Sequence, residues 1–261
     1  FILPLTCRLK DKWVFLLACV LLIQPLPLYY VIRACLDPSF ITPAIPTRSF
    51  WDATFAVQSH GSFLETVRVN LWEGQIASLA WAWDHGRVFQ TAALFLLGML
   101  IGRRGLFQKE NLKVWNKILA GALIAFFPLY GLGNMLPAFI ANKSILTPLS
   151  LIITSLSNFS FMLVLVSGVI FAFYNTNMHY LLMKITPYGK MSLTNYITQS
   201  IVGSMLYYNW GFALHNQCGI TVSCLAGIAF FILQFTFCRW WMSHHSHGPM
   251  EYIWKRATWL K

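Results

Sequence analysis

Between Met191 and Cys238 the chain carries no Asp, Glu, Lys or Arg. About 20 apolar residues cross the hydrocarbon core of a bilayer as a helix. The run therefore holds two crossings, at 191–213 and 218–241, joined by the tight polar segment Leu214-His215-Asn216-Gln217. Residues 13–32, 87–102, 118–141 and 149–173 repeat the pattern. The expectation is an all-α polytopic transmembrane bundle of about six spans. Only 10% of residues are charged, where a soluble domain averages roughly 25%. Membrane lipid is thus the first partner that the sequence implies.

The formal net charge of +11 does not indicate nucleic acid, because the basic residues sit in short clusters between apolar runs. Lys and Arg accumulate on the cytoplasmic side of membrane helices. With the start placed inside, Arg33, Arg48, Arg68, Arg87 and Lys143 fall outside, and every other Lys and Arg of the 19 falls inside. Both observed ends are then cytoplasmic in a bacterial inner membrane. The chain starts at Phe1, and an upstream portion is expected.

Between the first two spans lies a long connection, 33–85. Pro38 to Pro46 reads as irregular loop. Ser62 to Trp83 reads as one amphipathic helix along the outer interface, with Leu64, Val67, Leu71, Ile76 and Leu79 on its apolar stripe and Trp72, Trp81 and Trp83 at headgroup level. Pro25 and Pro27 predict a kink in the first span. The stretch Pro128 to Pro137 predicts a kink or partial unwinding of the third. Gly98 and Gly102 have the spacing that permits close helix approach. A boundary near residue 85 divides the chain into 1–85, the first span and its connection, and 86–261, a C-terminal membrane domain.

Polar side chains inside apolar runs carry the functional expectation. Ser192, Asn195 and Gln199 stand at i, i+3 and i+7, one helical face, with Thr194 beside them. Amides are costly in lipid unless they find partners. The face therefore either lines a solute path or hydrogen-bonds neighbouring helices. Asp84-His85-Gly86-Arg87 stands at the outer mouth of the second span. Adjacent helical residues do not face each other, so an Asp–His base is disfavoured, whereas Arg87 suits either an anion contact or a snorkelling role. No acid lies within a predicted span. His244, His245 and His247 read as a solvated tail, with no closed metal site. No P-loop, nucleophile elbow or dinucleotide fingerprint is present, and no cofactor is expected. Of six cysteines, Cys35 and Cys218 share the outer side, but spacing sets no connectivity.

Three segments taken together resemble the C-terminal region of the YeiB-like bacterial inner-membrane family, domain-of-unknown-function family 418. They are Gly86 to Arg103; Tyr188-Gly189-Lys190-Met191-Ser192-Leu193-Thr194-Asn195-Tyr196 with Gln199-Ser200; and Gly248-Pro249-Met250-Glu251-Tyr252-Ile253-Trp254-Lys255-Arg256. The motif positions are Gly189, Asn195, Tyr196, Gln199, Gly248, Pro249, Glu251, Trp254 and Arg256. Lys190 stands where the family often has arginine. The resemblance implies transport of a small or lipid-linked solute. The family's likeness in helix arrangement to membrane acyltransferases implies, as an alternative, acyl transfer from a cytoplasmic donor. A non-catalytic scaffold is a third reading. The family's Leu-Asp-x-x-Arg-Gly type opening is absent, so no acyl-transfer histidine is carried over, and any catalytic part is expected upstream.

Overall fold

The computed structural model describes residues 2–43 and 47–259, all helix and connection with no strand among them. Packing divides the chain into two compact units, Phe1–Thr47 with Ser78–Tyr174, and Arg48–Ala77 with Asn175–Lys261.

In the first unit α1 (Ile2–Thr6) leads into α2 (Asp11–Leu22) and α3 (Pro25–Leu36). Pro25 disfavours helical backbone at the residue before it. Gln24 accordingly leaves the helix at φ +61, and α2 and α3 meet at a bend of 50°. Helix α7 (Arg87–Arg103) packs against α2 through Val14, Ala18, Leu96 and Leu100, all buried. Its C-terminal arginines grip the opposite end of α2. Arg103 donates to the carbonyls of Leu9 and Cys7 and reaches Asp11, while Arg104 Nε donates to Asp11 Oδ2 at 3.0 Å. An acid at a helix start facing bases at a helix end satisfies both macrodipoles. Gly98 and Gly102 take no part, since a Cβ at either would meet nothing within 4 Å. The small residue at the contact is Ala18, fully buried beside Leu96.

Helices α8 (Leu112–Phe139) and α9 (Lys143–Tyr174) complete this unit. Their polarity is inside out. Ser155, Ser157, Ser160 and Ser167 of α9 are buried, while Ile124, Phe127 and Phe139 of α8 are exposed. Small hydroxyl residues facing helices and large apolar residues facing outward is the arrangement a lipid solvent selects. Ser160 and Ser167 satisfy their hydroxyls on the carbonyls four residues back. Helix α8 stays helical through Pro128 and Pro137, so the partial unwinding does not occur. Fully buried Trp115 pins the preceding turn by donating from Nε1 to the carbonyl of Leu106 at 2.7 Å.

The second unit holds α4 (Thr47–His60, from Arg48 onward), α5 (Phe63–Leu71) and the start of α6 (Glu73–Asp84). Where one interfacial helix is expected from Ser62 to Trp83, two form. Trp72 takes φ −117, ψ −76 and interrupts the helix. Ser62 and Glu65 form a reciprocal capping box at the start of α5, the S-x-x-E signal that sets a helix entry. Residues 37–43 are irregular, as read from the sequence; the expected loop's remainder, 44–46, lies outside the described residues. The unit continues with α10 (Thr176–Lys190), α11 (Ser192–Tyr207), α12 (Ile220–His244) and α13 (Pro249–Thr258). All six cysteines are free thiols.

Among the described residues, three helical segments are long and apolar enough to cross a membrane: 109–139, 143–174 and 220–244. Two bent pairs, α2 with α3 and α6 with α7, raise the number to five. The chain is thus an all-α membrane-type bundle, with three to five candidate spans where the apolar runs suggested six. The difference lies at 191–213. Helix α11 has 16 residues, and 16 residues rise about 24 Å, short of the hydrocarbon thickness of about 30 Å. It stops at Tyr208 because the chain turns back on it, with the Phe212 amide donating to the carbonyl of Met205 at 2.9 Å.

Candidate functional site

Two polar constellations stand out, one in each unit. In the first unit a cavity of about 680 Å³ opens among α3, the 41–43 segment, the α6–α7 junction and α9. Its walls include Leu26, Tyr30, Trp83, Asp84, His85, Arg87, Gln90, Lys143, Leu151, Ser155 and Asn158. Binding sites for small molecules typically enclose about 300–1,000 Å³ and combine apolar walls with a few placed polar groups.

A relay of amides sets Arg87 in this wall. Gln24 donates from Nε2 to Ser155 Oγ at 2.9 Å, Gln90 Nε2 donates to the Ser155 carbonyl at 3.2 Å, and Arg87 Nη1 donates to Gln90 Oε1 at 3.1 Å. Gln24, Gln90 and Ser155 are buried. The guanidinium carbon of Arg87 also stands 5.7 Å from the Trp81 ring centre, a cation–π distance. Among the described residues, neither Arg87 nor Lys143 has a carboxylate within ion-pair distance. His85 lies stacked on Trp81, ring centres 5.0 Å apart, with Nδ1 3.0 Å from the Trp81 carbonyl.

Gly86 makes the junction possible. Its φ of +62 is left-handed, and a Cβ there would stand 2.2 Å from Gln24 Oε1 and 2.8 Å from Leu151 Cδ2. Glycine alone meets both demands without cost. Among the described residues the buried Gln24 Oε1 has no hydrogen-bond partner, so the first link of the relay is held by packing on Gly86 as well as by Ser155.

The second unit holds the predicted polar face, and there Asn195 and Gln199 bond to residues of α10 and α12. Asn195 donates from Nδ2 to the Tyr188 carbonyl at 3.0 Å, and its Oδ1 accepts from Cys238 Sγ at 3.2 Å. Gln234 of α12 donates to the Asn195 carbonyl, while its Oε1 accepts from Gln199 Nε2 at 2.9 Å. Gln199 Nε2 also reaches the Tyr188 hydroxyl at 3.0 Å. Ser192, the first residue of α11, is exposed. Tyr196, Trp254 and Arg256 are exposed too. Gly189 lies within α10 with open space around it.

Glu251 joins two helix starts. Its Oε1 accepts from the amides of Leu193 and Thr194 at 2.8 and 3.1 Å, and its Oε2 accepts from Thr194 Oγ1. Thr194 Oγ1 in turn accepts from the Met250 amide in the first turn of α13. One carboxylate thereby serves the uncapped amides and the positive dipole end of α11. Burial pushes its pKa up, but the Thr194 and Leu193 bonds outweigh that and hold it below the ordinary glutamate range. Gly248 is required by this approach, since a Cβ there would stand 2.2 Å from Glu251 Oε2. Pro249 occupies the first position of α13, where its missing N–H costs nothing.

Arg87 and the Ser192–Gln199 face therefore belong to different units. Sequence reading did not single out Gln24, Gln90 or Lys143. The signal was present for the two glutamines, which are amides within long apolar runs. The three histidines of the tail form no metal cluster with acids or cysteines among the described residues; His245 stacks on Trp241 and His247 Nε2 meets Lys255 Nζ.

Residues 101–261 match the family model described as "Protein of unknown function (DUF418)". The uncharacterised protein YxaH of Bacillus subtilis (strain 168) is 30% identical over 95 residues, 36% of this chain and 24% of its own length. An uncharacterised 39.9 kDa protein in the amylase 3' region of Bacillus acidopullulyticus is 32% identical over 78 residues, 30% of this chain and 22% of its own length. Uncharacterised YeiB of Escherichia coli (strain K12) is 29% identical over 83 residues, 30% and 20% respectively. The matched stretches span a quarter or less of these relatives. No solved structure matches.

Proposed function

The chain belongs to the DUF418 family of proteins of unknown function, and from that premise we propose that it binds a small or lipid-linked solute and passes it across a membrane. The cavity in the first unit is the solute's seat. One observation carries this reading: Arg87 is aimed by a buried amide relay rather than by an acid, in a cavity sized for a small molecule or lipid headgroup. A guanidinium already neutralised by a carboxylate would have little left for a ligand; this one keeps most of its five N–H donors.

The test is flux. Full-length protein in phosphatidylcholine liposomes is offered radiolabelled organic anions, sugars and amines. At least one should move, at least tenfold more slowly with Arg87→Gln. Consumption of labelled acyl-CoA with label transfer, and no flux of any solute, would replace passage by acyl transfer. The distribution of Lys and Arg supports a bacterial inner membrane with the observed start of the chain cytoplasmic; an even count of crossings, with 191–213 as a sixth, puts both observed ends there, whereas five crossings put them on opposite faces. In a cysteine-free background, Ser59→Cys should react with a membrane-impermeant thiol reagent in intact cells. Lys113→Cys should react only after permeabilisation, and the opposite pattern would overturn the orientation.

A further inference from the structure

The geometry points to an anionic amphiphile, a phosphate or carboxylate joined to an apolar body, as the ligand of the cavity. This rests on the reading of that cavity as the solute's seat and specifies its chemistry. Arg87 is the first residue of α7 and Lys143 the first of α9, and both line the cavity. Among the described residues neither is ion-paired, and the lining holds one acid, Asp84, against these two bases. A cationic ligand would meet two like charges, whereas an anion meets a planar fork and a mobile ammonium. Two positive groups in a concave wall also raise the local concentration of anions.

The rest of the wall explains the apolar body. Leu26, Pro27 and Tyr30 of α3 with Ile41 and Leu151 supply apolar surface to this space, alongside hydroxyls that α9 adds between Ser144 and Ser155. The lining follows α9 from Lys143 to Asn158, about 22 Å at 1.5 Å per residue. That length exceeds what a bare phosphate occupies. It accommodates a head beside the two helix starts and an apolar segment laid along α3. Inorganic phosphate would use the bases and leave the apolar wall wet, so the amphiphile binds more tightly.

The experiment uses full-length protein in phosphatidylcholine nanodiscs with radiolabelled dodecyl phosphate, the signal of empty discs being subtracted. Binding should saturate. Arg87→Gln and Lys143→Gln should each weaken it at least tenfold, with Arg87→Lys between wild type and Arg87→Gln. Inorganic phosphate should compete only at concentrations at least a hundredfold higher, and dodecyltrimethylammonium should not compete. Undiminished binding by a folded Arg87→Gln, Lys143→Gln double variant would overturn the proposal. So would equal displacement by the ammonium compound, or equal competition by inorganic phosphate. If the glutamine variants do not fold, the competition series on wild-type protein decides alone. The flux assay separates this from the passage reading. Saturable dodecyl phosphate binding without flux sinks passage and keeps the ligand class. Arg87-independent flux of a neutral solute, with no dodecyl phosphate binding, sinks the ligand class and keeps passage.

Discussion

The two units solve the same problem in opposite ways. Each places amides and hydroxyls among apolar helices, where an unpartnered polar group costs several kcal/mol. In the second unit Asn195, Gln199, Gln234 and Tyr188 satisfy each other, and Glu251 closes the set against two helix starts. In the first, Gln24, Gln90 and Ser155 end the same kind of relay on a cation at an open cavity. A polar face in a membrane helix is thus not in itself a site. What distinguishes the two is whether the last group in the chain of bonds has a partner.

The largest effect should come from Glu251. Glu251→Ala leaves the Leu193 and Thr194 amides unserved at the start of α11 and should destabilise by about 3 kcal/mol, since hydrogen bonds to a charged group contribute roughly 1.5–3 kcal/mol. Thermal unfolding in detergent measures it, and an unchanged midpoint would show that the junction is not what holds α11 to α13. The same residue gives a pH test. Its folded pKa lies below the unfolded one. Its stabilisation is therefore complete above the ordinary glutamate value of about 4.3 and is lost as the pH falls through the lower folded value. The midpoint of wild type should drop across that window, and Glu251→Gln should flatten the drop.

Next in size is Gly86→Ala, which meets left-handed strain and a clash with Gln24 and should cost about 2–3 kcal/mol. Its unfolding midpoint should fall and solute binding with it, because Gly86 is the turn that leads directly into Arg87 at the start of α7. Smaller again is Asn195→Leu at about 1 kcal/mol. Gln199→Leu, at an exposed position, should cost about 0.6 kcal/mol, the average for an interhelical polar contact in a membrane protein. If the second unit's polar face is packing, folded Asn195→Leu, Gln199→Leu protein keeps full activity; strong loss of activity at an unchanged midpoint would make it a path after all. Smallest in stability is Arg87→Gln, within about 0.5 kcal/mol of wild type as surface substitutions usually are, yet with the largest loss of solute binding. A large fall in its midpoint would erase the contrast between the units.

The fold class was legible because lipid imposes long apolar runs, and α7 and α9 begin at the single bases Arg87 and Lys143, while α8 begins within the basic segment that ends at Lys117. Span number was less legible. Hydropathy counts apolar residues but does not register where the backbone turns, as it does at Trp72 and Tyr208; the bend at Gln24 was readable only from Pro25 and Pro27. Of the candidate residues, Arg87 was readable from its place at the mouth of an apolar run. Its relay was not, because Gln24, Gln90 and Ser155 are 65 to 131 positions apart along the chain, and no periodicity links residues on three different segments. The Gly248-Pro249-x-Glu251 motif was readable as a motif. Its meaning required seeing that the carboxylate serves a helix other than its own.

Ser155 enters the relay twice, through its hydroxyl to Gln24 and through its main-chain carbonyl to Gln90. The two links have different heredity. A change of codon at 155 can delete the hydroxyl, but the carbonyl belongs to whatever residue stands there. The half of the relay that aims Arg87 is therefore immune to substitution at its own acceptor, and sequence drift at 155 is free to loosen Gln24 while Gln90 keeps its anchor.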